Sequence, residues 1–509
     1  MHNYHLNPFH RIPTRTWAGV FLLIVTFLIL AFPLVDDPDF GWHLKSGQLY
    51  AQTRQIPAHD IFSYTMNNYL WVNHEYGADT FYYFLYRLGG DTTILLSFFF
   101  LAIGVLTFLV VFPRTFPHAL QTDERLFAGL IALLVSRAFF GIRSQVFDWL
   151  GFLLVILIWN HYKKTSSRQT LLWCIPLFFL WANIHGGFFI GLLLLSFLFF
   201  FDIIDRIKSG TLLQWFRREK YHLLSVFGIL LMGGIATLIN PYGIHLYQDI
   251  IRTLGNHTML TTIKEWQPSV VSSALILPFV IYVFSLIFLL MIRKQDKPLA
   301  IRHAFLILLF LFLALSSIRF IPFFLFISLP ILAYAYSENE LFLPILLLLL
   351  FPGFFISVVY GNAEHTQNIA AIAASSSSPI SLSARIKDRF YAQAPTGALA
   401  YLRAHPMKGN MFNDYDWGGT LIWSFPEYKV FIDGRMPYWQ LGDRNILEDY
   451  LTIERVSQGW DKKINEYGID WFIIRKSTPL AAVLGTLPAV WEKQYDDEFA
   501  VIFVRKKQL

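Results

Sequence analysis

Apolar residues run along the first 360 positions of this chain in stretches of helical length, separated by short polar or charged segments. A hydrocarbon core about 30 Å thick needs roughly 20 consecutive apolar helical residues, because a helix satisfies its own backbone polar groups there. The pattern predicts about eleven transmembrane helices, beginning near residues 17, 93, 126, 147, 170, 187, 223, 273, 303, 320 and 341. Arg137 interrupts the run at 126, and close pairs of runs meet around Asn183 and Arg319. Trp17 to Val35 follows Arg11 and Arg15 without a small-residue cleavage site, so it reads as an uncleaved anchor.

Lys and Arg next to spans stay cytoplasmic. One set of alternate loops holds Arg11, Arg15, Lys163, Lys164, Arg168, Arg217, Arg218, Arg293 and Lys294 among others, and the opposite loops hold far fewer bases. The amino terminus is therefore expected inside and everything after Tyr360 outside. The first outward loop, 36–92, is long enough to fold. Its segment Glu75 to Leu88 reads as an amphipathic helix whose Phe81, Tyr82, Tyr83, Phe84 and Tyr86 suit the membrane surface.

Beyond Tyr360 the pattern changes. Residues 361–383 include the Ala/Ser-rich stretch Ala371 to Ser383 and read as a linker; 384–509 carry mixed charge and alternate helix with strand. Gly397 to Ala404 and Asn445 to Ser457 are expected as helices, and Thr420 to Ser424, Lys429 to Ile432, Trp471 to Ile474 and Phe499 to Val504 as strands. The fold class is thus an all-α membrane bundle over 1–360 with a soluble C-terminal α/β domain over 384–509.

Composition agrees: of 509 residues, 55% are hydrophobic and 15% charged, which excludes a disordered or ordinary soluble protein. The net charge is +6, but the bases are spread among short loops, so insertion topology accounts for them and nucleic acid is not an expected partner. Cys174 is the one cysteine, which excludes an intrachain disulfide and a cysteine metal site.

Candidate chemistry concentrates just outside the first span. Asp36, Asp37 and Asp39 precede Trp42, His43 and Lys45. Such carboxylates supply hard oxygen ligands for a divalent cation or a general base, and they equally suit an acidic helix cap. Glu75 follows His74 at the start of the amphipathic segment, where a folded loop could return it to Asp37 or Asp39; it equally suits the first turn of a helix. Arg143, His185, His245, Lys264 and Arg319 stand at outward helix ends, where they could receive a lipid phosphate. The alternatives are snorkelling, or structural pairing with Glu265 or Asp148. Gly418, Gly419 and Gly434 read as isolated turn glycines, Asn256 to Thr258 as a chance sequon, and Asp414, Asp416 and Asp433 as turn and cap residues.

These elements resemble the GT-C superfamily of polytopic glycosyltransferases, which includes oligosaccharyltransferases, protein O-mannosyltransferases and lipid A aminoarabinose transferases. The resemblance is carried by Asp37 to Leu44, Ile56 to Tyr64, His74-Glu75, Arg143 to Gln145, Trp181 to Gly186, Asn240 to Gly243, Glu265-Trp266, Asn413 to Gly419 and Val430 to Arg435. It implies a polyprenyl-phosphate-linked sugar donor and inverting transfer. Asp37 or Asp39 would be the catalytic or metal-binding carboxylate and Glu75 a second acid, with a Mg or Mn ion either used or not. Trp42, His43, His74, Arg143, His185, Lys264 and Arg319 would contact substrate. No Trp-Trp-Asp motif is evident, so the expected acceptor is an envelope glycan, lipid or other molecule rather than a peptide, and the expected location is a bacterial inner membrane. Two rivals remain at this level: a noncatalytic scaffold using the C-terminal domain, and a transporter of lipid-linked precursors, which would carry ionisable residues deep in its spans or repeated halves.

Overall fold

The computed structural model describes residues 37–111, 143–207, 212–269, 276–292, 301–336 and 394–506. The expected runs near 17, 126 and 341, the 361–383 linker and Asp36 lie outside the described residues.

The remaining apolar runs all fall on helices. Gln145–Thr165, Phe188–Ile207, Leu212–Ala236, Ile276–Ile292, Ile301–Ser316 and Ile321–Tyr336 form a bundle with Tyr76–Val111. Its core is aromatic: Phe152 packs against Phe310 and Phe323, and Phe279 and Tyr282 against Phe324. Outward faces keep large apolar residues exposed, among them Phe227, Leu231, Phe284, Phe288, Leu308 and Phe312, as lipid contact requires.

The run near 170 differs from expectation, because it divides into Arg168–Leu171 and Cys174–Ala182, too short to cross alone. Among the described residues, Phe188–Asp205 is the stretch that is both long and apolar enough to cross a membrane. Lys220–Ala236, Phe279–Met291, Ile301–Ser316 and Ile318–Leu332 are apolar but shorter.

The amphipathic segment is helical, but it belongs to one long element, Tyr76–Val111, with non-helical backbone at Gly89 and Gly90. Phe81 and Phe84 are exposed, whereas Tyr82 and Tyr83 are buried. Tyr82 packs against Phe40 and Phe98. The expectation that all five aromatics face the interface is therefore corrected: this helix lies against Phe40–Thr53, which takes one side of its aromatic set.

The C-terminal residues build a four-stranded sheet. Its strands are β1 (Asn410–Asn413), β4 (Ile469–Arg475), β5 (Trp491–Asp496) and β6 (Ala500–Arg505); β2 (Gln440–Leu441) and β3 (Arg444–Asn445) form a separate hairpin. The sheet order is β1-β4-β6-β5, parallel between β1 and β4 and antiparallel elsewhere. Every second residue of a half-covered strand faces inward, but in β4 Trp471, Phe472, Ile473 and Ile474 are all buried, the pattern of a strand covered on both faces. Helices Thr396–Ala404 and Ile446–Glu454 appear as expected, the latter capped by Asn445, whose side chain accepts from the Glu448 amide.

Two expected strands are not strands. Gly418–Ser424 is a short helix with Leu421 and Ile422 buried, since a brief apolar run fits either structure until packing decides. Lys429 to Ile432 is extended, but its partner is the first outward loop. The Val430 amide donates to the Phe62 carbonyl and the Tyr64 amide to the Val430 carbonyl. Trp42, Met66, Tyr69 and Trp71 of that loop belong to the same apolar cluster as the C-terminal sheet.

Arg435 locks this joint. It is 5% exposed and ion-paired to Asp433 at 2.6 Å and Asp60 at 2.9 Å, with its guanidinium over the rings of Phe62 and Trp71.

Candidate functional site

The helix Phe40–Thr53 begins where the acidic motif ends. Asp39 is its N-terminal boundary residue but makes no side-chain cap hydrogen bond, so the acidic-cap alternative does not describe it. Its amide instead donates to Asp37 Oδ1 at 3.0 Å. Both carboxylates line a cavity of about 690 Å³ between the bundle and the C-terminal module. The same cavity is lined by Trp42, His43, His74, Glu75, Arg143 and Arg319.

Asp37 faces Arg143, with 3.6 Å between Oδ2 and Nε. No hydrogen bond or ion pair engages the Asp39 carboxylate among the described residues. Burial, then the neighbouring Asp37 charge, push the Asp39 carboxyl up to about 8. Burial also raises Asp37, although Arg143 and His43 oppose the shift.

Beneath them runs a buried chain of alternating charge, from Asp79 through His43, Glu75 and His185 to Asp148. His43 Nδ1 is 2.5 Å from Asp79 and its Nε2 3.8 Å from Glu75. His185 Nε2 is 3.1 Å from Glu75 and its Nδ1 2.6 Å from Asp148. Ser144 donates a further hydrogen bond to Glu75, and Trp181 donates to Asp148. Burial alone would lower both imidazoles, but Asp79 with Glu75 raises His43 to about 9, and Asp148 with Glu75 raises His185 to about 9. Burial would raise Glu75, and the histidines, His43 first, reverse that and hold it well below the usual carboxylate range. Asp79, raised to about 6 by burial, stays ionised at neutral pH despite its site.

The guanidiniums meet over one acid. Glu265 accepts from Arg143 and lies 3.1 Å from Arg319, which stacks over Trp266 at 4.5 Å. Burial would raise Glu265; Arg319 and Arg143 outweigh it and lower its pKa. Arg319 and Trp266 also border a second, narrow slot of about 80 Å³. That slot is lined by Trp149, Phe189, Ile190, Ile250, Leu254, Phe320 and Phe323, with His74 and His185 at its polar edge.

The structure therefore assembles Asp37, Asp39, Trp42, His43, His74, Glu75, Arg143 and Arg319 around one space and places His185 in the adjoining slot. The structural pairings weighed for Arg143 and His185 are present as well. Lys264 shares the turn Lys264–Trp266 with Glu265, and its side chain lies outside the described residues. His245 is exposed and contacts Gln248 instead of the cavity. Asn256 uses its side chain to cap the helix His257–Thr262, accepting from the Met259 amide.

Among the described residues, the donor group that could hold a metal is His74, Glu75 and His185, with ligand atoms within 4.8 Å of one another. Asp37 and Asp39, expected to be the ligands, are not members of that group. Two imidazoles and a carboxylate suit a borderline transition ion better than Mg. A metal there would have to displace the proton that Asp148 and Glu75 stabilise on His185.

Sequence reasoning missed Asp79 as the partner of His43. Its spacing of four from Glu75 puts both acids on one helix face, which was the available signal. Asp249, which lies 3.6 Å from His74 and accepts from Tyr438, had no such signal.

No protein-family model and no curated protein sequence matches this chain. Solved structures do. The apo oligosaccharyltransferase of Archaeoglobus fulgidus superposes with a TM-score of 0.54 at 10% identity, covering 96% of this chain and 75% of its own. The same enzyme tethered to an acceptor peptide containing the NVT sequon gives 0.55 at 9% identity, covering 98% and 74%. Apo ArnT of Cupriavidus metallidurans gives 0.50 at 13% identity, covering 96% and 97%. The fold is that of the GT-C glycosyltransferases. Like those structures, this chain joins a helical bundle to a C-terminal domain, and here that domain closes the cavity with Tyr415, Tyr438, Tyr450 and Glu454.

Proposed function

We propose that this protein is a membrane glycosyltransferase that moves a sugar from a polyprenyl-phosphate donor to a hydroxyl acceptor on the outer face of the membrane. The observation that carries the reading is the junction at Arg319: a polar cavity holding an unpaired carboxylate adjoins an apolar slot across a pair of guanidiniums. A lipid-linked sugar has the same layout, with a greasy chain, an anionic phosphate and a polar sugar in series.

In this reading the prenyl chain enters the slot and the phosphate meets Arg143 and Arg319. The sugar lies over Trp42 and His43. Asp39 accepts the proton of the acceptor hydroxyl as its oxygen attacks the anomeric carbon from the side opposite the phosphate. The bond from carbon to phosphate oxygen breaks with inversion, and the phosphate leaves carrying the bonding pair, held by the two guanidiniums. Asp37 positions Arg143. The buried acid–histidine chain fixes the first outward loop, and thereby Asp39, without exchanging protons with substrate. An ion held by His74, Glu75 and His185 would add positive charge at the phosphate. The inner membrane of a bacterium, with the cavity outward, is the location this chemistry fits.

Purified protein in liposomes, given radiolabelled polyprenyl-phosphate sugars and a membrane extract of the source cells as acceptor, should release labelled product. Asp39→Asn should lower the rate by about 10²–10⁴-fold, the usual contribution of a positioned base. Arg319→Ala should raise the donor KM more than it lowers kcat. Full activity of Asp39→Asn would remove the base assignment, and movement of intact donor between leaflets without sugar transfer would identify a transporter instead.

A further inference from the structure

The loop carrying Asp39 is seated on the C-terminal module through close backbone approaches. A Cβ on Gly41 would fall 2.1 Å from the Gly419 carbonyl oxygen, and one on Gly419 would fall 2.3 Å from the Pro38 carbonyl oxygen. A Cβ on Gly434 would fall 1.8 Å from Asp39 Oδ1 and 2.5 Å from Oδ2. Non-bonded carbon atoms rest at about 3.5–4.0 Å, so each contact exists only because the glycine lacks a side chain.

Gly434 differs from the other two in what it touches. The nearest atoms to a Cβ on Gly41 or Gly419 are backbone, whereas the three nearest to one on Gly434 all belong to the Asp39 carboxyl group. Its φ is not in the left-handed region that Gly409, Gly442, Gly459 and Gly468 occupy, so local conformation does not call for glycine there. Its neighbours cannot yield easily. Asp433 is fully buried, Arg435 is 5% exposed, and the two are ion-paired to each other and, through Arg435, to Asp60. An added methyl at 434 would therefore move the Asp39 side chain sooner than the wall behind it.

We propose that Gly434 is a positioning residue: a fixed floor, supplied by the C-terminal module, that sets how far the Asp39 carboxylate reaches into the cavity. The catalytic half of this statement rests on Asp39 being the base, as read above; the steric half does not. The C-terminal module is then part of the transfer machinery rather than only a cover or a docking surface. Two turns that read as unremarkable glycines in the sequence are where it meets the reactive loop.

The test is a four-protein cycle of wild type, Gly434→Ala, Asp39→Ala and the double variant, read by both melting temperature and transfer kinetics. Gly434→Ala should lower kcat by about 100-fold, as a displacement near 1 Å does, with the donor KM within about twofold of wild type. In the Asp39→Ala background it should lower neither kcat nor melting temperature further, because the atom it collides with is gone. If Gly434→Ala is too unstable to assay alone, adding Asp39→Ala should restore a folded protein melting with the Asp39→Ala single variant. Equal loss of melting temperature in both backgrounds, or wild-type kinetics in Gly434→Ala, overturns the proposal. A wild-type protein that transfers no sugar although the melting temperatures couple overturns the functional reading and leaves the steric contact standing, so the two failures are distinguishable.

Discussion

Asp39 and Asp37 share a tripeptide yet occupy different environments. Asp37 has Arg143 beside it and accepts the Asp39 amide; the Asp39 carboxylate has a glycine on one side and the cavity on the other. Burial first, and then Asp37, push Asp39 up to about 8, so at pH 7 it is largely protonated. A base must be unprotonated, and the transfer rate should therefore rise with pH on a limb centred near 8. Removing the Asp37 charge removes a repulsion that raises this pKa, so Asp37→Asn should move the limb to lower pH. A kcat/KM profile against pH, which reports the free enzyme, checks both, and a limb near pH 4 for wild type would contradict them. The sequence made the acids conspicuous but could not rank them, because the partner of one and the contact of the other come from positions 143 and 434.

At the scale of elements, the first outward loop is held from two sides. On the side of the helical bundle, His43 and His185 clasp Glu75. Glu75→Gln would remove the acid the two imidazoles share while leaving His43 paired with Asp79 and His185 with Asp148, so the cost is that of weakened charged hydrogen bonds, about 1.5–3 kcal/mol. The melting temperature in detergent should fall accordingly, with the fall larger than for Glu265→Gln, whose pair is more exposed. On the side of the C-terminal module, Arg435 sits between Asp60 and Asp433 among aromatic rings. Arg435→Met should strand two buried carboxylates and detach residues 58–71 from the C-terminal core. Protease sensitivity of that loop is the direct readout, and an unchanged digestion pattern would contradict the joint. Local apolar patterning, read as runs of spanning length, predicted the described bundle helices apart from the run near 170, which divides in two. It failed at Thr420 to Ser424 and Lys429 to Ile432, where the deciding partner is the distant first loop.

For the whole molecule, the sequence pointed to a helical membrane bundle followed by a C-terminal domain containing strands, because hydrocarbon thickness acts on every span alike and the composition changes after Tyr360. It did not reveal that the first loop and that domain share one apolar core, because Trp42, Met66, Tyr69 and Trp71 carry no local sign of what they pack on. That joining creates the cavity, and the cavity's neighbour is the apolar slot at Arg319. Glu265 bridges Arg143 and Arg319 at their meeting point, where the proposed donor phosphate would have to displace it. Glu265→Gln should therefore lower the apparent Kd for polyprenyl phosphate several-fold, measured by titration in nanodiscs, and a weaker affinity would contradict that competition.

The most direct test of the account is a cryo-EM structure of the full chain in nanodiscs with polyprenyl phosphate bound. Phosphate density is expected between Arg143 and Arg319, with the first prenyl units in the slot beside Trp149 and Phe323. Phosphate density elsewhere, with this junction still closed by Glu265, would contradict it.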